Sequence, residues 1–202
     1  MLNKFAKALS IVFHPLLMPT VGIFLLFHSN SILVYQSPEL KKAVYIIVFL
    51  STCLLPLSFM PFFLYNKRIV NLFMEERRER IIPFFVAVIM YFFAWYLIQR
   101  IPIADFLEYF ILASALNVLV LLIITFWWKI SAHMVGLGGI AGLLMALSLA
   151  ENINLLPHII IVIFVSGVVG SARLKLDAHG PWQILAGFFQ GLIITFFLLI
   201  YL

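Results

Sequence analysis

Long apolar runs separated by short polar segments set the pattern of this chain. A helix needs about 20 consecutive apolar residues to cross a bilayer, with about 17–25 tolerated. By that measure the runs near Ile11–His28, Ala43–Tyr65, Ile81–Ile98, Phe106–Trp128, Val135–Ala150, Leu156–Gly170 and Ile184–Leu202 predict six to seven membrane spans. The first run holds His14, Pro15 and Pro19. Proline removes a backbone donor and clashes with the preceding turn, so this span is expected to be kinked or partly re-entrant. Lys4 and Lys7 ahead of it resemble a signal-peptide start. The run is long, carries prolines and lacks a small-x-small cleavage pattern, so it is expected to be retained. Gly138/Gly142 and Gly187/Gly191 give small-xxx-small spacing on the fifth and seventh spans. That spacing lets helix backbones approach closely and is a packing signal. No repeat, linker or low-complexity tract interrupts the pattern, and residues 1–202 are expected to form one integral membrane domain.

Composition removes the soluble alternatives. Hydrophobic residues make up 65% of the chain and charged residues 10%. A soluble domain carries about 25% charged and about 45–50% apolar residues. The expected fold class is therefore an all-α polytopic transmembrane bundle. The 21 phenylalanines exclude disorder, and the single cysteine, Cys53, excludes an internal disulfide. A net charge of +5 invites a nucleic-acid reading. The basic residues sit between apolar runs rather than along a stripe, which argues against it.

Three connecting segments hold nearly all the unusual polar residues: 66–83 (NKRIVNLFMEERRERIIP), 129–133 (KISAH) and 171–183 (SARLKLDAHGPWQ). Two spans separate each from the next, so all three return to the same membrane face. Arg77, Arg78, Arg80, Lys129, Ser131, His133, Arg173, Lys175 and His179 can therefore meet at one end of the bundle. Each segment also has a plain reading. Residues 75–80 (EERRER) fit a solvated turn with internal ion pairs, His133 an interfacial histidine on a carbonyl, and Arg173 to His179 an ordinary loop. Their joint placement favours chemistry. Arginine forks match phosphate oxygens, and histidine can attack phosphorus or protonate a leaving group.

In these residues the chain resembles the type-II phosphatidate phosphatase family, integral membrane lipid phosphatases whose active site is related to that of vanadium haloperoxidases. That family carries Lys–x6–Arg–Pro, then Pro–Ser–Gly–His, then Ser–Arg–x5–His–x3–Asp. Here Arg80 with Pro83 stands for the first motif, residues 130–133 (ISAH) for the second, and Ser171, Arg173 and His179 for the third. The resemblance covers about residues 73–191. It implies that His179 is the nucleophile that forms a phosphohistidine and that His133 protonates the leaving group. It also implies that Arg173, Arg80 and Ser131 hold phosphate, without a metal or other cofactor. Phe73 occupies the family's lysine position, for which Arg77 or Lys129 could substitute. Pro83 is displaced from Arg80, and Ala172 separates Ser171 from Arg173. The family's final aspartate is Gln183, whose carbonyl can orient the His179 ring without supplying charge, with Asp177 as another candidate.

The expected activity is hydrolysis of a phosphomonoester or pyrophosphate on a membrane lipid, of the phosphatidate, phosphatidylglycerophosphate, polyprenyl pyrophosphate or lipid A type. The alternative is a catalytically degenerate relative that binds or transports a lipid phosphate. A magnesium enzyme is a weaker rival, because Asp105 and Asp177 are the only aspartates and the glutamates at 75, 76 and 79 stand among arginines. A transporter would place ionisable residues at mid-depth, whereas these collect at one face. The motif face and N-terminus hold Lys4, Lys7, Lys67, Arg68, Arg77, Arg78, Arg80, Lys129, Arg173 and Lys175, against Lys41, Lys42 and Arg100 opposite. Positive-inside bias alone would make the motif face cytoplasmic. A phosphate-binding role explains the excess, and bacterial relatives of the resembled family act on the periplasmic side. The expectation is therefore a bacterial inner-membrane protein with a periplasmic site.

Overall fold

The computed structural model describes residues 2–71, 74 and 76–202. Phe73, at the position of the family's lysine, and Glu75, of the acidic cluster, lie outside the described residues. Among those described, every regular element is helical, and seven segments are long and apolar enough to cross a membrane. The chain is an all-α, multi-pass membrane protein.

The first span breaks, as its prolines predict. Helix α1 (Leu2–Val12) ends before His14, whose backbone is extended (φ −62°, ψ 135°), and a 3-10 turn at Pro15–Leu17 leads into α2 (Met18–His28). A residue ahead of proline is pushed out of the helical region, which explains the break at His14. The two halves then dock on different partners. Helix α1 packs along α9 (Leu156–Lys175), and α2 packs against α3 (Pro38–Phe49), α7 (Asp105–Thr125) and α8 (Ala132–Ala150).

The second span starts earlier than its apolar run, at Pro38, because Ser37 caps the helix by accepting the Leu40 N–H at 3.3 Å. It continues through a π-helical turn (Leu50–Leu54) into α4 (Leu55–Ser58) and then α5 (Met60–Tyr65). Pro56 has no N–H for the carbonyl one turn back, and the helix widens just before it. A 3-10 turn at Arg77–Arg80 opens α6 (Ile81–Ile98), and α10 (Pro181–Tyr201) closes the bundle. Several further boundaries correct the sequence reading: α7 ends at Thr125 rather than Trp128, and α10 begins at Pro181 rather than Ile184. Helix α8 begins at Ala132 rather than Val135, and α9 runs on to Lys175 rather than stopping at Gly170. Backbone groups at the membrane edge favour continued helix, while Arg173 and Lys175 in the last turn of α9 face the negative end of its dipole.

Helix α8 is the centre of the bundle. Of its most apolar window 72% is buried, against 22–44% for the other six spans. Its closest neighbour is α10, and the glycines explain why. A Cβ at Gly142 would lie 2.6 Å from the Leu192 carbonyl oxygen, and one at Gly187 would lie 2.7 Å from the Ser131 carbonyl oxygen. Lipid tails are as apolar as leucine, so such a seam is held by dense contact rather than by escape from water. It fixes the first turns of α8 and α10 side by side, and both carry motif residues.

Candidate phosphate site at one end of the bundle

His179 stands in the short connection from α9 to α10. Asp177 takes a left-handed backbone (φ 50°), a conformation that aspartate tolerates better than most residues, and so turns the chain tightly after α9. Gly180 then caps α10 with Pro181 in its first position. One turn into that helix, Gln183 Oε1 accepts the Gly180 N–H at 3.1 Å and also lies 3.1 Å from His179 Nδ1. Two donors converge on this oxygen, which fixes the amide orientation. The main-chain carbonyl of Gln183 accepts the Ser131 N–H at 3.1 Å, tying the start of α8 to the start of α10.

The ring of His179 has a definite tautomer. Besides Gln183 Oε1, its Nδ1 lies 3.3 Å from the Lys129 carbonyl oxygen. Both neighbours can only accept, so Nδ1 carries the proton. The lone pair on Nε2 faces Arg80, whose Nη1 lies at 3.4 Å. Arg80 is itself buried, 7% exposed, and its Nε donates to the Met74 carbonyl at 2.9 Å. Burial, then the charges of Arg80 and Arg173, and more weakly Lys129, push the His179 pKa down to about 3 against the opposing Gln183 hydrogen bond. The imidazole is therefore neutral at neutral pH, with a bare nitrogen beside a guanidinium.

The other half of the site gathers around α1. His133, in the first turn of α8, donates from Nε2 to the Ser10 carbonyl at 3.0 Å. Arg173 Nη1 donates to the Ser10 hydroxyl at 3.1 Å. The His14 ring meets that of His133 edge-on, with centroids 5.9 Å apart. Two buried polar atoms here have no hydrogen-bond partner among the described residues: Ser131 Oγ and Arg173 Nε. Ser131 is wholly buried. Leaving a buried donor unpaired costs about 1–3 kcal/mol, and more for a charged group.

Most residues singled out from the sequence thus belong to one constellation: Arg80, Ser131, His133, Arg173, His179 and Gln183, with Lys129 supplying a carbonyl and a nearby charge. Arg77 is engaged elsewhere. Its guanidinium donates to the Phe126 carbonyl at the end of α7, one of the carbonyls that a helix terminus leaves without an internal partner. Asp177 is exposed and shapes the turn, and the acceptor on His179 is Gln183. Sequence reasoning missed Ser10 and His14. A His-Pro pair breaking an apolar run was a signal for His14, whereas Ser10 carried none. Among the described residues no group of three or more His, Cys, Asp or Glu side chains is arranged to hold a metal ion.

No family model, no curated protein and no solved structure matches the chain. The functional reading rests on the geometry and on the motif resemblance.

Proposed function

We propose that this protein is a membrane lipid phosphatase that hydrolyses a phosphomonoester or pyrophosphate through a phosphohistidine at His179. The observation that carries the reading is the pair of buried donors without partners, Ser131 Oγ and Arg173 Nε, in the same site as Arg80 and a neutral His179. A tetrahedral oxyanion bound among these side chains would offer acceptors to such donors, and the guanidiniums match its oxygens in charge and shape.

In the proposed reaction His179 Nε2 attacks phosphorus as the P–O bond to the lipid breaks. His133, which takes up a proton as the anionic phosphate binds beside it, donates that proton to the departing oxygen. Its Nε2–H stays on the Ser10 carbonyl, so the transferred proton comes from Nδ1. Water then attacks the phosphohistidine, His133 takes one of its protons, and the P–N bond breaks to release inorganic phosphate. The negative charge that builds on the phosphoryl oxygens is met by Arg80, Arg173 and the Ser131 hydroxyl. Gln183 holds Nδ1–H throughout, so that Nε2 is the attacking atom.

A second reading is a lipid-phosphate binder or transporter without turnover, favoured by one observation. Gln183 orients the ring but adds no negative charge to steady it as it becomes cationic. One experiment separates the two. Phosphate release is measured from phosphatidate, phosphatidylglycerophosphate, polyprenyl pyrophosphate and lipid A in detergent, with and without chelator. Release of phosphate from at least one lipid, unaffected by chelator, is the expected result. Binding of these lipids without release supports the second reading, and chelator-sensitive release overturns the metal-free mechanism.

The same reading places the site on the periplasmic side of a bacterial inner membrane. Setting aside Arg80 and Arg173, which are engaged within the site, still leaves eight basic residues on this face against three opposite, so the assignment rests on the periplasmic action of the resembled family's bacterial members and not on the charge balance. The thiol introduced by Lys175→Cys is expected to react with an impermeant reagent in intact cells. Reaction only after lysis reverses the orientation.

A further inference from the structure

We infer that Ser10 is a positioning residue of this site, through which α1 holds Arg173 and His133 in working geometry. The inference deepens the phosphate reading above and rests on it.

Ser10 lies near the end of α1 and is 8% exposed. Its hydroxyl has one proton, and that proton goes to the Ala6 carbonyl at 3.0 Å. The oxygen is then oriented to accept, and it accepts from Arg173 Nη1 at 3.1 Å. A guanidinium is a rigid planar fork. Holding Nη1 restricts how the fork can lie, and Nε is buried and unpartnered. The hydroxyl of Ser10 thus orients a phosphate ligand without touching phosphate.

The carbonyl of Ser10 has a separate part, and the helix break creates it. In an uninterrupted helix this oxygen would accept the N–H of His14. Because Pro15 forces His14 into an extended conformation, the His14 N–H bonds to the Ile11 carbonyl instead, at 3.2 Å. The Ser10 carbonyl is left open toward α8, and His133 Nε2–H fills it. This fixes the His133 ring and makes Nδ1 the nitrogen left for proton transfer. The arrangement parallels the other histidine, where the Gln183 oxygen holds Nδ1 and leaves Nε2. Each histidine has one nitrogen tied to an acceptor oxygen, and the sequence between Ser10 and Pro15 supplies the tie for His133.

A double-mutant cycle tests the inference in the purified full chain, using inorganic phosphate as the probe and its dissociation constant as the readout. Alanine raises helix propensity at position 10, so Ser10→Ala is expected to leave the bundle folded. It should weaken phosphate binding about tenfold, the equivalent of about 1.4 kcal/mol. Added to Arg173→Ala, it should cost no more than a further twofold, because its effect runs through Arg173. Losses that multiply would make Ser10 a merely structural residue and overturn the inference. Wild-type binding in Ser10→Ala would overturn it alone, leaving the phosphate reading intact. Failure of the wild-type protein to bind phosphate would take down both.

Discussion

The two halves of the site are built by different kinds of support. His179 stands just before α10, Gln183 on its first turn and Arg80 in the turn that opens α6, and the glycine seam between α8 and α10 locks the Gln183 backbone onto Ser131. His133 and Arg173 instead share one serine on α1, whose dock on α9 is the most lipid-exposed of the seven spans. The first half is rigid by construction. The second depends on a short amphipathic helix staying in place. On the proposed reaction this difference would divide the chemistry: the nucleophile would belong to the rigid half, while proton delivery and half of the phosphate grip would belong to the half that α1 completes.

The largest expected effect falls on the rigid half. His179→Ala removes the attacking atom, so no lipid or aryl phosphate should turn over. Wild-type protein quenched rapidly during turnover should carry acid-labile, base-stable phosphate that is absent from the variant. Full activity in His179→Ala would end the assignment of the nucleophile. His133→Ala breaks the other half differently. General acid catalysis contributes about 10²–10⁴-fold, and an activated aryl phosphate needs little protonation as its leaving group departs. The variant should therefore lose roughly that factor on a lipid monoester and far less on the aryl substrate. Equal losses on both substrates would assign His133 to binding rather than to proton transfer.

The two arginines allow a direct test of the comparison. A hydrogen bond to a charged group contributes about 1.5–3 kcal/mol, so Arg80→Ala and Arg173→Ala should each lower kcat/KM by roughly 10–100-fold. Arg80 also faces His179, and its loss should fall on kcat as well as on KM. Arg173→Ala should fall mainly on KM. Identical splits would mean that the two halves are not functionally distinct.

The bundle, and the gathering of most candidate residues at one end of it, were legible in the sequence for physical reasons. Span length is imposed by bilayer thickness, so apolar runs locate helices without help from tertiary context. The same-face argument needs only the parity of crossings, and it brought Arg80, His133, Arg173 and His179 to one end. Helix ends were less legible. The cap at Ser37 and the extension of α9 to Lys175 depend on local hydrogen bonding and dipole effects that an apolar count ignores. Arg77 could not be sorted from Arg80 by spacing, because only its partner, the Phe126 carbonyl, distinguishes them. Ser10 was invisible, since its part is played by a carbonyl that becomes available only where the helix breaks.

Acidity should loosen the site at His179. The His179 pKa in the folded protein is about 3, below its ordinary 6.5. Between those values the unfolded chain binds a proton that the folded site refuses. The stability associated with a neutral His179 is therefore complete above pH 6.5 and is lost as pH falls toward 3. Thermal unfolding followed across this window should show a falling Tm, and His179→Gln should flatten the fall. Gln183→Asp adds a carboxylate beside Nδ1, which raises the His179 pKa and favours its cationic form in the transition state. Turnover should rise, and the acid limb of the rate profile should move to higher pH. Lower turnover with an unmoved limb would show that the glutamine has a further contact with substrate.

The smallest effect is expected at Arg77, and it marks where the site stops. Its guanidinium ties the Arg77–Arg80 turn to the end of α7 through the Phe126 carbonyl. Arg77→Ala breaks that hydrogen bond while leaving the contacts of Arg80 with Met74 and His179 in place. A terminal carbonyl near the membrane surface can recover a water partner, so the net cost to stability should be about 0.5–1.5 kcal/mol. Activity should stay within about threefold of wild type, with KM for the lipid phosphate unchanged. If Arg77 instead swings in to act as the lysine of the resembled family's motif would, its removal will raise KM as much as Arg173→Ala does. Kinetics of the two variants on one substrate therefore decide whether the rigid half holds phosphate with one arginine or with two.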